Sequence, residues 1–142
     1  MTNERDYIRE RVQIVKRRLD NPAAQMERID RIQLEREHRL LGKVLDEVEE
    51  GQVLPALQAW RRFLGSELAD YSRRVLPGVR RAHDEWLRLP PGRRDETPEP
   101  PRPVLATTAT DRNGYTWVID DRFLLMLDGV IERLGKWLAG EG

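Results

Sequence analysis

The chain has 142 residues, 39% of them hydrophobic and 35% charged, and its 25 basic and 25 acidic side chains give a formal net charge of zero. This composition is typical of a soluble, helix-rich protein of about one domain, and no apolar run approaches the ~20 residues that cross a bilayer. Cysteine is absent, which excludes disulfides, thiolate metal sites and a cysteine nucleophile. The charged N-terminal residues lack the apolar segment of a signal peptide, so we expect a cytoplasmic protein that does not enter a membrane.

Two amphipathic helices are predicted in the first fifty residues. Over residues 3–20 apolar side chains recur at steps of three and four, and Asn3 is suited to cap the N-terminus. Pro22 follows a break in this pattern and suits the first turn of a longer helix over residues 22–50. Gly51 suits the position after a helix end, and the short connection beyond it predicts an antiparallel hairpin of the second and third helices.

The longest apolar stripe of the chain lies in residues 52–76. Its members recur with the spacing of a buried helix face, and they are Leu57, Trp60, Leu64, Leu68, Tyr71 and Val75. Pro77-Gly78 then interrupts the pattern, which predicts either a sharp kink or a break followed by a short helix over residues 78–88. Together these four helices make residues 1–89 the predicted helical core.

The composition changes after this core. Residues 90–103 contain six prolines, which favours an extended linker that holds no helix. Residues 104–110 and 115–119 are rich in β-branched and aromatic side chains, so they predict a β-hairpin whose type I turn places Gly114 in the left-handed conformation. Residues 104–142 are thus predicted as this hairpin plus a C-terminal amphipathic helix, whose wide apolar face must dock on the N-terminal helices or on another chain. The predicted fold class is mainly α, with a three- to four-helix bundle-like core.

Arginine is the dominant basic residue, with 22 copies against 3 lysines, and it concentrates in the middle of the chain. Residues 52–94 carry 9 basic and 4 acidic residues, a net charge of +5. If the helix continues through Pro77, then at about 100° per residue Arg62, Arg73 and Arg80 align opposite the apolar stripe, and Arg81 adjoins them. Such a surface suits a phosphate backbone or an acidic protein partner. The alternative is a solvated helix face whose arginines pair with the acidic C-terminal part of the chain.

Glu35 and His38 have the spacing of a helical metal-ligand pair. Three residues apart on a helix they share one face, as in ferritin-like di-iron proteins, and Glu67 is a candidate further ligand if a symmetric dimer supplies the second half. His38 and Leu76-Pro77 also resemble the first helical hairpin of hemerythrin-like domains, which carry a second His and a Glu where this chain has Glu67 and Tyr71. That resemblance implies a helical bundle with a metal centre, but it covers less than a third of the chain, and no cofactor is assigned from it.

No catalytic signature is present in the sequence. There is no G-x-S-x-G motif, no Walker loop and no H-E-x-x-H motif, so an enzymatic function has no support. Tyr115 and Trp117 share one strand face, where they are either core residues or a contact for a partner. We predict a non-enzymatic helical interaction protein, a small subunit or adaptor of a larger assembly, with a protein partner or a second copy of the chain. The first alternative is a nucleic-acid-binding subunit that uses the arginine-rich residues 61–94, and the second is a metal-binding helical bundle.

Overall fold

The computed structural model describes residues 3–21 and 26–140 of the chain. It is mainly helical, with one two-stranded antiparallel hairpin and a C-terminal helix, so the predicted fold class is confirmed. The elements in chain order are α1 (Glu4–Asp20), α2 (Arg28–Glu47), α3 (Val53–Arg74), α4 (Leu76–Leu87), α5 (Pro91–Glu96), β1 (Ala106–Thr110), β2 (Thr116–Asp120) and α6 (Asp121–Leu138). The predicted start of the second helix falls on residues 22–25, which lie outside the described residues.

The described chain divides into two compact units. The first contains the residues up to Arg62 and those from Arg122 onward, and the second is Phe63–Asp121. The division therefore falls inside α3 and at the first turn of α6, and not at the proline-rich segment where the sequence suggested a linker. Because α6 belongs to the first unit, the second unit is an insertion between two parts of the first.

Four helical segments form the first unit, namely α1, α2, the part of α3 up to Arg62, and α6. α1 and α2 pack side by side, with the Arg11 guanidinium 2.9 Å from the Glu37 carboxylate. The predicted hairpin of α2 and α3 is present, and it places the Lys43 ammonium 5.5 Å from the centre of the Trp60 ring. The buried apolar residues of this unit are Ile8, Val15, Leu34, Leu40, Leu41, Val44, Val48, Val53, Leu57, Phe123, Leu124, Leu127, Val130 and Leu134.

The apolar face of α6 is covered within the first unit. The Gln33 side-chain amide of α2 donates a hydrogen bond of 2.8 Å to the carbonyl oxygen of Arg122. On another side of the helix, the Asp128 carboxylate accepts from Arg61 of α3, with an Nε to Oδ1 distance of 2.7 Å. Phe123, Leu124, Leu127, Val130 and Leu134 are buried, so the centre of the apolar face predicted from the sequence is core of the same chain, whereas Leu138 at its end is 48% exposed.

Two carboxylates cap helix starts at one end of this unit, Glu4 of α1 at the start of α3 and Glu50 of the α2–α3 turn at the start of α1. The Glu4 side chain accepts hydrogen bonds from the backbone N–H groups of Gly51 (3.0 Å) and Val53 (2.9 Å), where α3 begins. The Glu50 carboxylate in turn accepts from the N–H groups of Glu4 (2.8 Å) and Arg5 (2.9 Å), where α1 begins. The first N–H groups of a helix have no partner within that helix, so each carboxylate satisfies donors of a helix to which it does not itself belong. Its negative charge is also favourable at a helix N-terminus.

α2 ends at Glu47, earlier than the sequence predicted. The Arg5 guanidinium of α1 donates hydrogen bonds to the carbonyl oxygens of Leu45 and Val48, which a continuing helix would otherwise pair. Gly51 then adopts a φ of +84°, a conformation that glycine enters at no steric cost, and the chain turns into α3. Gly51 thus marks the turn itself rather than the residue directly after the helix.

α3 and α4 are separated by one residue in the second unit. Val75 keeps a right-handed helical backbone, and its N–H donates to the Tyr71 carbonyl while its own carbonyl accepts from Val79. Pro77 has no N–H and its ring crowds the carbonyl of Arg73, so the hydrogen-bond ladder stops and restarts here. The sequence predicted either a kink or a break followed by a short helix, and the structure has the break. The second helix, α4, begins at Leu76 rather than at residue 78.

The expectation that the proline-rich segment holds no helix is wrong. Pro91 opens the short helix α5, where a proline is tolerated because the first helical N–H needs no partner. The helix ends at Glu96, and Thr97 is extended, since the following Pro98 disfavours a helical backbone for the residue before it. The Thr97 hydroxyl also donates a hydrogen bond of 2.8 Å to the Arg93 carbonyl.

The β-hairpin forms where the sequence places it. β1 and β2 are antiparallel, with Thr108 opposite Val118 at the centre of the register. Gly114 has a φ of +81°, as the predicted turn requires, and its N–H donates to the Asp111 carbonyl at 3.1 Å. The Asp111 carboxylate also accepts the backbone N–H of Tyr115 at 3.1 Å, so the turn is closed by its own first side chain.

Candidate interaction surface

The four arginines predicted to contact a partner are all exposed. Arg62 belongs to the first unit, whereas Arg73, Arg80 and Arg81 belong to the second. The Arg73 guanidinium lies 3.9 Å from the Asp70 carboxylate. In the described parts of the chain, the side chains of Arg80 and Arg81 have no ion pair or hydrogen bond.

α4 buries very little of itself. All twelve of its residues are described, and Leu76 is the one that is buried. Leu87, near the other end, is 46% exposed. Helices in proteins are stabilised mainly by burial of an apolar face, so a helix with one buried residue has surface left for a further contact.

Several exposed residues of α4, together with Arg88 after its end, lie on one side of the helix. At about 100° per residue, Leu87, Arg80, Arg88 and Arg81 fall within an arc of about 120°, with Asp84 in its middle. We call this set Arg80, Arg81, Leu87 and Arg88 the α4 surface. It presents three guanidinium groups and one aliphatic side chain, with Asp84 among them and the exposed Glu85 about 40° beyond Arg81.

The positive charge of this region is local. Residues 73–94 carry 7 basic and 2 acidic residues, a net charge of +5. The whole second unit, Phe63–Asp121, carries 9 basic and 10 acidic residues, a net charge of −1. The field of the unit therefore does not attract a polyanion at long range, and the α4 surface acts over the few ångströms of direct contact.

The chain after α5 returns along the half-buried edge of α4. The Trp86 indole N–H donates a hydrogen bond of 3.1 Å to the Thr97 carbonyl, and the Arg94 guanidinium lies 5.8 Å from the centre of the Trp86 ring. One turn earlier, His83 Nε2 is 3.3 Å from a carboxylate oxygen of Glu99. These contacts occupy the aromatic edge of α4, so the α4 surface is the part of the helix that remains open.

The contact between His83 and Glu99 predicts a shifted titration. The His83 imidazole, followed by the Arg102 guanidinium, holds the pKa of Glu99 below its usual value of 4.5. Ionised Glu99 therefore stabilises the folded state above about pH 4.5, and that contribution is lost as the pH falls through the lowered pKa. We expect the carboxyl ¹³C resonance of Glu99 to titrate below pH 4.5, and the midpoint to rise in His83→Ala. A wild-type midpoint that does not change in this variant would contradict the contact.

The predicted metal ligands are not brought together. Glu35 is exposed and His38 half-buried on α2, while Glu67 is exposed on α3 in the second unit. Among residues 3–21 and 26–140, no three His, Asp or Glu side chains are close enough to hold a metal ion. The buried carboxylate on α2 is instead Glu37, which is 5% exposed and is not among the site residues predicted from the sequence. Its spacing was the available signal, because Leu34, Glu37 and Leu41 follow the steps of three and four of a buried face.

Trp117 is a buried residue of the hairpin, which favours the core alternative of the sequence analysis over a partner contact for this residue. It is 3% exposed, and its indole N–H donates a hydrogen bond of 3.1 Å to the Asp111 carboxylate. Tyr115 packs against it edge-to-face, with ring centres 5.0 Å apart, and stays partly exposed. The pair therefore stabilises the hairpin, and only Tyr115 offers surface to another molecule.

Comparisons of the chain with protein-family models, with curated proteins and with solved structures returned no match. A search of the described residues for a helix both long enough and apolar enough to span a bilayer found none.

Proposed function

We propose that this protein is a non-enzymatic interaction protein, a small subunit or adaptor of a larger assembly, which binds an acidic protein partner through the α4 surface. The observation that carries the proposal is that α4 buries one residue while it exposes Leu87, Arg80 and Arg81, and that Arg88 directly after the helix is exposed as well. Arginine is enriched at protein interfaces, where its planar group makes paired hydrogen bonds with carboxylates and packs on apolar side chains.

The side chains of the α4 surface favour a partner of complementary chemistry. Arg80, Arg81 and Arg88 supply donors for carboxylates, and Leu87 supplies an aliphatic contact among them. A partner segment that carries Asp or Glu around one apolar side chain matches this arrangement. Contacts of this kind depend on salt, because charges at the rim of an interface are screened.

The double variant Arg80→Glu/Arg81→Glu, which reverses two charges of the α4 surface, is expected to bind the partner at least tenfold more weakly. Affinity capture from the native host, with quantitative mass spectrometry, compares this double variant with wild-type protein. The matched control is Arg17→Glu with Arg18→Glu, which reverses an exposed arginine pair at the end of α1. The proposal requires an acidic protein that is lost with the first variant and kept with the control. If both variants and the wild type retain the same proteins, the α4 surface is not the contact.

The nucleic-acid alternative is favoured by one observation, the net charge of +5 over residues 73–94. It predicts binding of labelled single- or double-stranded DNA or RNA at about 50 mM salt, with an affinity that falls steeply toward 200 mM. Fluorescence anisotropy measures this directly, again with the Arg80→Glu/Arg81→Glu variant beside the α1 control. Binding that only the α4 variant removes would favour this alternative over a protein partner.

A further inference from the structure

A groove of about 330 Å³ lies between α1 and α6 in the first unit. Its lining residues are Tyr7, Glu10, Arg11, Ile14, Arg133 and Trp137. The groove combines an aromatic wall with two guanidinium groups and is separate from the α4 surface. All of its residues belong to the first unit, so its geometry depends on that unit alone.

The wall of the groove is aromatic. Tyr7 and Trp137 stack with ring centres 4.7 Å apart and planes inclined by 25°. Both side chains are half-buried, and Ile14 beside them is 39% exposed. The groove therefore offers an apolar, partly aromatic surface on which a flat molecule can pack.

The guanidinium groups are fixed by one buried carboxylate. Glu37 accepts from Arg11 Nε at 2.9 Å and from Arg11 Nη2 at 3.3 Å, and it also accepts from Arg133 Nη2 at 2.8 Å. Because Glu37 is 5% exposed, it holds both side chains from the protein side. Two positive charges face one negative charge, which leaves an excess of one positive charge at this end of the groove.

Most donors of the two guanidiniums stay unused. Each guanidinium has five N–H donors, of which Glu37 takes two from Arg11 and one from Arg133. No other partner of these two side chains occurs in the described parts of the chain. Glu10 lines the same groove without pairing with either arginine, and its negative charge cancels that excess of one. The unused N–H donors of the two guanidiniums, and not a net positive charge, are therefore what favours an anion here.

We infer that this groove binds a small planar aromatic molecule that carries an anionic group, either a carboxylate or a phosphate. The ring packs on Trp137 and Ile14, and the anion accepts hydrogen bonds from Arg11 and Arg133. Guanidiniums recognise both kinds of anion through paired hydrogen bonds. Because Glu37 already fixes the two arginines, little side-chain freedom is lost on binding.

The test uses the full chain and simple probes. Phenyl phosphate, benzoate and adenosine monophosphate carry both an aromatic ring and an anionic group. Inorganic phosphate carries only the anion, and benzyl alcohol carries only the ring. Among phenyl phosphate, benzoate and adenosine monophosphate, we expect the tightest-binding probe to have a dissociation constant on the order of 1 mM, as ligands of this size allow. The constant is measured by NMR from the shift of the Trp137 indole N–H resonance. The preferred anion identifies the class of the natural ligand. Inorganic phosphate binding as tightly as phenyl phosphate would mean an adventitious ion only and would overturn the inference.

Variants locate the binding. Arg133→Gln is expected to weaken the tightest probe at least tenfold, and Glu10→Gln to tighten it about threefold because it removes the opposing charge. Lys136→Gln is the matched control, since Lys136 lies on the same helix but pairs with Glu132 at 3.1 Å outside the groove. Circular dichroism establishes that each variant is folded. Equal affinities for Arg133→Gln and Lys136→Gln would exclude this groove as the site.

Discussion

Glu4→Ala is expected to lower the free energy of unfolding by about 2–3 kcal/mol, near the upper end of what a helix cap contributes. The Glu4 carboxylate is 5% exposed and accepts two backbone N–H groups, those of Gly51 and Val53. Alanine leaves both donors without a partner at a site that water does not reach freely, and the desolvation cost of each donor remains. Urea denaturation followed by circular dichroism measures the change.

Two companion variants separate the contributions at this cap. Both hydrogen bonds end on the same oxygen, Oε1, so Glu4→Gln can keep them through its amide oxygen while it loses the charge. We expect Glu4→Gln to cost about 1 kcal/mol, the value of a charge near a helix N-terminus. Glu10→Ala removes an exposed carboxylate from the same helix and should change stability by less than about 0.5 kcal/mol. Similar losses for Glu4→Ala and Glu10→Ala would mean that the cap is absent in solution.

Leu127→Ala should destabilise the protein by about 3–4 kcal/mol, within the range for buried leucines. Leu127 is fully buried at the middle of α6, between the contacts that join this helix to α2 and α3. The substitution removes buried methyl groups and leaves a cavity in a core that cannot fully close around it. Chemical denaturation at several protein concentrations measures the loss and tests whether it depends on association.

Leu125→Ala is the matched control for this prediction. Leu125 lies two residues earlier on the same helix and is 68% exposed, so the same chemical change should alter stability by less than about 0.5 kcal/mol. A large loss at residue 125, or a loss at residue 127 that appears only at high protein concentration, would contradict the packing of α6 within its own chain. It would place that face against a second molecule instead.

Local signals in the sequence predicted the local structure well. Asn3 caps α1 through its side chain, which accepts the Asp6 N–H at 2.8 Å, and Gly114 takes the left-handed conformation that the hairpin turn needs. In both places the responsible atoms lie within a few residues of each other. The periodic apolar stripes likewise predicted which faces of α1 and α3 are buried, because burial follows the helical repeat.

Long-range pairing explains what the sequence did not predict. Glu37 lies on the buried stripe of α2. A carboxylate is expected to be exposed to solvent unless its partners are known, and the partners of Glu37 are 26 and 96 residues away. Glu4 is a second example, since its hydrogen bonds go to residues 47 and 49 positions later, which no local pattern reveals. The groove between α1 and α6 was missed for the same reason, since it needs both ends of the chain.

The insertion of one unit within the other has a consequence for synthesis on the ribosome. The core of the first unit includes Leu127 and Leu134 of α6, which are translated after the whole of Phe63–Asp121. At about 5–20 residues per second, those roughly 60 residues take about 3–12 s to emerge. During that interval α1 and α2 present an apolar surface that has no permanent cover. The nascent chain therefore exposes this surface over a defined range of lengths, which ends only when α6 has been synthesised.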